Sequence, residues 1–303
     1  MHLELLIFYL ILIFDQNLNF FDLVLFIQSA LKKGQSILRD NNIISAKLDS
    51  EILMSQAIRK NKEFIILNLN KKIKKRDLDY FDNLIQERAK SKPIAQIIKK
   101  KDFWKYEFIV NNNVLIPRPD TEILIEQALK LVKNKNRLQI LDIGIGSGCI
   151  LMSILKEKKN FIGTGIDISN KSLQISKVNG QKLRINNRLR LFKSNIDNFN
   201  TGKYDLIVSN PPYIKKSNLK CLEKDIGFEP KQALDGGLDG LSEIRKVINK
   251  SSELIKRSGH FIIEIGFDQK NKVKKILRDK GFYIKKTVKD LSNHDRCIVS
   301  IKT

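Results

Sequence analysis

The stretch LQILDIGIGSGCILMSIL, residues 138–155, places three glycines between an apolar strand pattern and an apolar helix pattern. Gly144, Gly146 and Gly148 lack a Cβ atom, so the backbone there can approach a bound molecule closely. The N-terminus of the following helix offers free N–H groups to polar atoms of that molecule. The spacing differs from the G-x-G-x-x-G pattern of dinucleotide-binding folds. The stretch predicts a nucleotide-type site in an α/β fold; the alternative is a tight turn without a ligand.

Two acidic residues accompany this glycine loop. Asp142 precedes the glycines, and Asp167 ends the next strand pattern, FIGTGID. A carboxylate at the end of the second strand can accept hydrogen bonds from both hydroxyls of a ribose. Asp142 could instead form a turn, and Asp167 could instead cap the next helix. The glycine loop together with Asp167 favours a cofactor that contains a nucleoside.

Strand patterns continue to the C-terminus. Helical patterns separate the first five segments, which indicates a parallel sheet covered on both faces, and the last two predict an antiparallel hairpin at one edge. The predicted fold class is α/β, with a seven-stranded, mostly parallel, Rossmann-like sheet and a small helical N-terminal domain. The strand segments are RLQILDI (137–143), FIGTGID (161–167), LRLFKS (189–194), YDLIVSN (204–210), HFIIEI (260–265), YIKKTVKD (283–290) and RCIVSIK (296–302).

Helical patterns precede the sheet. SAKLDSEILMSQAIRK (45–60), which Ser45 could cap, and RDLDYFDNLIQERAK (76–90) carry apolar residues at helical spacing. Residues 27–100 are therefore predicted to form a helical domain that packs or positions a substrate. We expect residues 101–117 to form a hairpin linker that turns at Asn111–Asn113, and residues 118–303 to form the α/β domain.

Residues 1–26 are strongly apolar. LELLIFYLILIF (3–14) is shorter than the ~20 residues of a membrane-spanning helix, and it lacks the basic front end of a signal peptide. A peripheral helix and a weak membrane anchor are two interpretations. We favour a third, a start codon assigned too early, and expect no association with a membrane.

The chain is strongly basic. It contains 56 Lys and Arg against 33 Asp and Glu, a formal charge of +23, which makes polyanions plausible partners. A general bias toward Lys, Ile and Asn would explain the same charge without a function. The cysteines and histidines have no metal-ligand spacing, so no metal site is expected, and the scattered thiols favour the cytoplasm. These residues are Cys149, Cys221, Cys297, His2, His260 and His294.

A stiff turn follows the fourth strand segment, in DLIVSNPPYIKK (205–216). Pro211 and Pro212 have no N–H to continue strand pairing, so they hold Asn210 rigidly at the end of the strand. DIGIGSG, GID and NPPY together resemble the seven-stranded S-adenosylmethionine-dependent methyltransferases, in which this turn marks enzymes that methylate a planar NH2 nitrogen. Such a nitrogen is a poor nucleophile. The Asn210 oxygen and a backbone carbonyl could align it with the methyl group, and Tyr213 could stack on it.

Longer segments resemble one family in particular, the peptide-chain release factor glutamine methyltransferases (PrmC/HemK). They are KPIAQIIKKKDFWKYEFIVNNNVLIPRPDTEILIEQAL (92–129), FEPKQALDGGLDGL (228–241) and KDLSNHDR (289–296). The resemblance spans about residues 27–301. It implies S-adenosyl-L-methionine as the cofactor and methylation of the glutamine amide in the Gly-Gly-Gln motif of class 1 release factors, by a monomer without a stable nucleic acid partner.

The resemblance also implies residue roles. The methyl-transfer residues would be Asn210, Pro211, Pro212 and Tyr213, and substrate contacts would add Arg118 and Thr121, with Asp120 and Glu122 shaping the site. Cofactor contacts would come from Gly144, Ile145, Gly146, Ser147, Gly148, Asp167, Asn195, Ile196 and Asn210. Asn195 and Ile196 depart from the acid and aromatic residue usual in the family, which weakens the predicted adenine contact.

Other readings of the sequence stay open. Arg118 and Glu122 could form an ion pair that pins the linker instead of contacting a substrate. A DNA or RNA methyltransferase that acts on adenine or cytosine amino groups would use the same turn and the basic charge. A binding module without catalysis is a third possibility, against which the intact turn, glycines and Asp167 argue.

Overall fold

The structure is a computed structural model that describes residues 26–303. The described chain divides into two compact units, and the boundary along the chain lies between Ile98 and Lys99. The prediction for the apolar N-terminal segment falls on residues outside the described range, except for Phe26. Within residues 26–303, no helix is both long enough and apolar enough to span a membrane.

The first unit is helical. Arg88 and Asp49, both nearly buried, form an ion pair at 2.7 Å inside it. Ser45 precedes the second helix as predicted but does not cap it, because its hydroxyl donates to Asp49 Oδ2 at 2.8 Å. Leu48, expected on the apolar face, is exposed. The helices are α1 (Ile27–Asp40), α2 (Ala46–Ile58), α3 (Lys62–Leu67), α4 (Lys75–Ala89) and α5 (Ile94–Ile98).

The second unit begins with an antiparallel hairpin of β1 (Lys100–Phe103) and β2 (Tyr106–Ile109). The predicted position of the hairpin turn is wrong, since the strands reverse at Trp104 and Lys105, and Asn111–Asn113 form a separate turn after β2. Trp104 adopts a left-handed backbone conformation with φ of 58°. The Glu122 carboxylate compensates by accepting the Trp104 N–H at 2.7 Å, a tertiary contact that turn propensity does not reveal.

A seven-stranded sheet forms the rest of the second unit, in the order β5-β4-β3-β6-β7-β9-β8. The first five strands pair in parallel, and β9 pairs antiparallel with both β7 and β8. The strands are β3 (Gln139–Ile143), β4 (Ile162–Asp167), β5 (Leu189–Lys193), β6 (Tyr204–Ser209), β7 (Ile255–Glu264), β8 (Phe282–Lys289) and β9 (Asp295–Lys302). All seven predicted strand segments and the antiparallel edge are confirmed.

Helices cover both faces of the sheet, with one departure from the expectation. Between β5 and β6 the chain forms only a short 3-10 helix, Ile196–Asn198, where a longer helical stretch was expected. Only ten residues join those two strands, and they must pass β4 and β3 to reach β6, which leaves too few residues for a longer helix. The helices of this unit are α6 (Glu122–Leu131), α7 (Cys149–Glu157), α8 (Asn170–Lys182), α9 (Ser242–Leu254) and α10 (Lys270–Asp279).

The strand order determines where a site can form. β3 lies between β4 and β6, because the chain first winds toward β5 and then crosses back to β6. At such a reversal the loops after neighbouring strands diverge and leave a crevice at their carboxyl ends. The glycine loop, Asp167 and the Asn210 turn follow β3, β4 and β6, so all three border this crevice.

Candidate active site

A cavity of about 240 Å³ opens at the carboxyl ends of β3, β4 and β6. Most of the predicted site residues line it, although they come from distant parts of the chain. Those that do are Arg118, Thr121, Gly144, Ile145, Gly146, Ser147, Asp167, Asn195, Ile196, Asn210, Pro211 and Pro212. Asp120, Glu122, Gly148 and Tyr213 are not among the described residues that line it.

The glycine loop leaves β3 through backbone conformations that favour glycine. Gly144, Gly146 and Gly148 have φ of 76°, 55° and 85°. A Cβ atom at Gly148 would also lie 2.3 Å from Met152 Cε. A side chain at Gly148 would therefore require both an unfavourable backbone and a displaced Met152 side chain. The loop that faces the cavity consequently presents backbone atoms.

Polar side chains on α8 hold this loop in place. Ser176 donates to the Gly146 carbonyl at 2.7 Å, and Asn179 Nδ2 donates to the Ser147 carbonyl at 2.9 Å. Asn179 Oδ1 also accepts the Ile109 N–H at 2.7 Å, which ties β2 to the same helix. These residues were not predicted as part of the site. The sequence signal that could have identified them is the presence of polar residues on the buried face of an amphipathic helix.

Asp167 connects the second strand to the glycine loop. Its Oδ2 accepts the Gly146 N–H at 3.0 Å, and its Oδ1 accepts the Ser169 N–H at 2.8 Å. Burial raises the pKa of Asp167, and these two N–H groups oppose the rise. The carboxylate is thereby held at the edge of the cavity, where its remaining lone pairs can accept further hydrogen bonds.

Asp142 is fully buried behind the glycine loop. Neither carboxylate oxygen makes a hydrogen bond within the described chain; the Leu151 N–H approaches without reaching hydrogen-bond geometry. Burial raises the pKa of Asp142 to about 7, and the nearby Asp167 adds to the rise. A buried carboxyl without partners is neutral in the folded protein until the pH approaches that value.

This burial leads to a prediction about stability and pH. The Asp142 carboxyl ionises near pH ~4 in the unfolded chain but only near pH 7 in the folded protein. Its contribution to stability is therefore complete below pH ~4 and is lost as the pH rises toward 7, by about 2–4 kcal/mol. Asp142→Asn should remove that part of the pH dependence, which urea unfolding of the ligand-free protein at several pH values would measure.

Glu264 is the internal reference for this measurement. Burial raises the pKa of Glu264 to about 7 as well. Wild type and Asp142→Asn should therefore both still lose some stability over this pH range, because both retain Glu264. Equal pH dependence in wild type and Asp142→Asn would show that Asp142 ionises normally in the folded protein.

The loop after β5 and the helix α9 border another part of the cavity. Asn195 Oδ1 accepts the Asp197 N–H at 3.1 Å and so caps the short 3-10 helix, while Ile196 packs against the apolar core. Glu243 and Val247 of α9 line the cavity as well. These two residues were not predicted, because no pattern in the sequence shows which turn of α9 lines the cavity.

The Asn210 turn lines the same cavity as the glycine loop. Asn210 Nδ2 donates to Thr121 Oγ1 at 3.2 Å. Tyr213, predicted as a stacking wall, directs its hydroxyl to Glu264 Oε1 at 3.2 Å and receives an N–H from Arg296 at 3.3 Å. Burial raises the pKa of Tyr213, so the phenol stays protonated. Tyr213 thus ties the turn to β7 through Glu264 and to β9 through Arg296.

Arg118 forms an ion pair with Glu229, not with Glu122. The Glu229 side chain is almost fully buried and also accepts the Ile116 N–H at 2.9 Å. The alternative in which Arg118 pairs with Glu122 is therefore wrong, since the Glu122 carboxylate accepts the Trp104 N–H. Glu229 was missed as a site residue, although it lies in the FEPKQAL segment that carried the family resemblance.

Comparisons with known proteins place this architecture among methyltransferases. The "Methyltransferase small domain" family model matches residues 119–237, and the "PrmC N-terminal domain" model matches residues 29–98. The release factor glutamine methyltransferase of Caulobacter vibrioides is 34% identical over 88% of this chain and 92% of its own length. That of Clostridium acetobutylicum is 36% identical over 91% and 98%. That of Buchnera aphidicola subsp. Acyrthosiphon pisum is 36% identical over 88% and 96%.

Proposed function

Because the chain belongs to the release factor glutamine methyltransferase family, we propose that it methylates the glutamine side chain in the Gly-Gly-Gln motif of class 1 release factors. The chain is a methyltransferase, its cofactor is S-adenosyl-L-methionine, and the acceptor is the glutamine amide nitrogen (N5). We also propose that it acts as a monomer in the cytoplasm, where release factors would be available to it.

The cavity fits this cofactor. The glycine loop leaves room for backbone contact, and Asp167 can accept two ribose hydroxyls. The cofactor carries a positive sulfonium. Asp167 and Glu243 contribute carboxylates to the lining, and the charge of Arg118 is balanced by the buried Glu229. The local electrostatics therefore favour a cationic ligand, even though the whole chain carries a charge of +23.

The observation that carries the proposal is the position of Asn210, on a proline-stiffened turn that lines the same cavity as the glycine loop. The cofactor supplies an electrophilic methyl group. The Asn210 oxygen and a backbone carbonyl of the turn can each accept one N–H of a substrate carboxamide, which orients its nitrogen for in-line attack. These acceptors also offset the positive charge that develops on the nitrogen during transfer. As the N–CH3 bond forms and the S–CH3 bond breaks, the amide nitrogen would become acidic, and the proton that it loses would pass to solvent.

A competition experiment tests the substrate. The protein is incubated with labelled S-adenosylmethionine, a purified class 1 release factor and duplex DNA, and mass spectrometry then locates the label. We expect label on the glutamine of Gly-Gly-Gln, and none on a matched release factor in which that glutamine is replaced by glutamate. Label on adenine or cytosine with none on protein would favour a nucleic acid methyltransferase, the alternative function that the basic charge of the chain suggests.

A further inference from the structure

The side chain of Asn210 has two ends with opposite chemistry. Its carbonyl end accepts hydrogen bonds, and its NH2 end donates them. A substrate carboxamide that presents N–H groups can bind only the carbonyl end. In the structure the NH2 end is engaged by Thr121 Oγ1 at 3.2 Å, so the carbonyl end is free of that contact.

The direction of this hydrogen bond is determined by a chain of neighbours. Arg296 can only donate, and it donates to the Tyr213 oxygen at 3.3 Å. The Tyr213 hydroxyl then donates to Glu264 Oε1 at 3.2 Å. Glu264 is 2% exposed, and above about pH 7, where its carboxyl is ionised, it acts as a buried acceptor behind the turn. The order of donors and acceptors is thus fixed from Arg296 as far as Glu264.

Thr121 completes the chain on the other side of Glu264. Its side chain is 3% exposed and interacts with the Glu264 carboxyl. Glu264 Oε2 is buried and makes no hydrogen bond among residues 26–303, so the ionised carboxylate has an acceptor available for the proton of the Thr121 hydroxyl. With its proton directed to Glu264, the Thr121 oxygen presents lone pairs to Asn210. Only the NH2 end of Asn210 is compatible with those lone pairs.

We propose that Thr121, backed by Glu264, is a positioning residue that holds the Asn210 amide with its carbonyl end toward the substrate nitrogen. This inference rests on the proposed function, since the required orientation follows from a carboxamide substrate. Without Thr121, the Asn210 amide could rotate by half a turn at little cost. It would then present N–H groups to an N–H donor, a repulsive arrangement that would lower the fraction of productive complexes.

The test compares Thr121→Val with Thr121→Ser. Valine keeps the shape of threonine but accepts no hydrogen bond, whereas serine keeps the hydroxyl. We expect Thr121→Val to lower kcat for release factor methylation about tenfold, because one hydrogen bond is lost. Its affinity for S-adenosylmethionine, measured by calorimetry, should stay within twofold, and Thr121→Ser should retain most of the wild-type kcat. Thr164→Val, the same change at a buried position on β4, is the matched control and should leave kcat unchanged.

A second measurement does not depend on the substrate. NMR of protein with ¹⁵N-labelled asparagine, assigned with an Asn210→Asp variant, should show faster exchange of the Asn210 side-chain amide protons in Thr121→Val than in wild type. Unchanged exchange would overturn the inference, as would a normal kcat in Thr121→Val or an equal loss in Thr121→Ser. A wild-type protein that methylates no release factor would refute the proposed function instead, and the NMR result would then decide the inference alone.

Discussion

Asn210→Ala is expected to lower kcat for release factor methylation by about 10³-fold. The substitution removes the side-chain acceptor proposed to orient the poorly nucleophilic carboxamide, and with it the proposed stabilisation of the charge that develops in the transition state. Loss of one such group from a preorganised site typically costs about 10²- to 10³-fold, and loss of alignment adds to it. Single-turnover kinetics with labelled cofactor would measure the chemical step directly.

Cofactor affinity separates this effect from a general disruption of the site. Asn210 borders the cavity but contributes a single side chain to it, so the dissociation constant for S-adenosylmethionine should rise no more than about tenfold in Asn210→Ala. Asn198→Ala changes an exposed asparagine in the short 3-10 helix after β5 and serves as the matched control, with kcat expected to be unchanged. Normal turnover by Asn210→Ala would mean that another group binds and orients the substrate carboxamide.

Asp167→Ala is expected to have the opposite kinetic signature. The carboxylate accepts the N–H groups of Gly146 and Ser169, so its loss would both loosen the glycine loop and remove the acceptor proposed for the ribose hydroxyls. Hydrogen bonds to charged groups contribute about 1.5–3 kcal/mol each, which predicts a rise of about 100-fold in the dissociation constant of the cofactor. At saturating cofactor, kcat should fall less than about tenfold.

Calorimetry of cofactor binding would measure this effect without any substrate. Asp279→Ala, at an exposed position at the end of α10, is the control that removes an acid of the same type. An affinity within about threefold of wild type in Asp167→Ala would show that the ribose is held elsewhere in the cavity. Asn210→Ala and Asp167→Ala together would assign chemistry to the β6 turn and cofactor binding to the end of β4.

The sheet was predictable because each of its strands is signalled locally. A buried parallel strand appears as a short apolar run, and all seven predicted segments from 137–143 to 296–302, including the antiparallel ones at the edge, became strands. The hairpin before the sheet shows the limit of local signals. Three consecutive asparagines suggested a turn, but the chain reverses at Trp104, where a carboxylate from α6 stabilises a left-handed backbone. A contact between residues 18 positions apart outweighed local propensity.

The candidate site likewise combines features that local sequence predicts with features that depend on tertiary contacts. The geometry of glycines before a helix, and of an asparagine before two prolines, is determined within a few residues. The sequence alone therefore determined the glycine loop, the acid that ends β4 and the rigid turn after β6. Only the tertiary structure decided which side chains support them. Glu229 pairs with Arg118 across 111 positions, and Glu264 lies beside Tyr213 across 51. Such partners depend on where strands β3, β6, β7 and β9 end relative to one another, and strand order is a property of packing that no short stretch of sequence encodes.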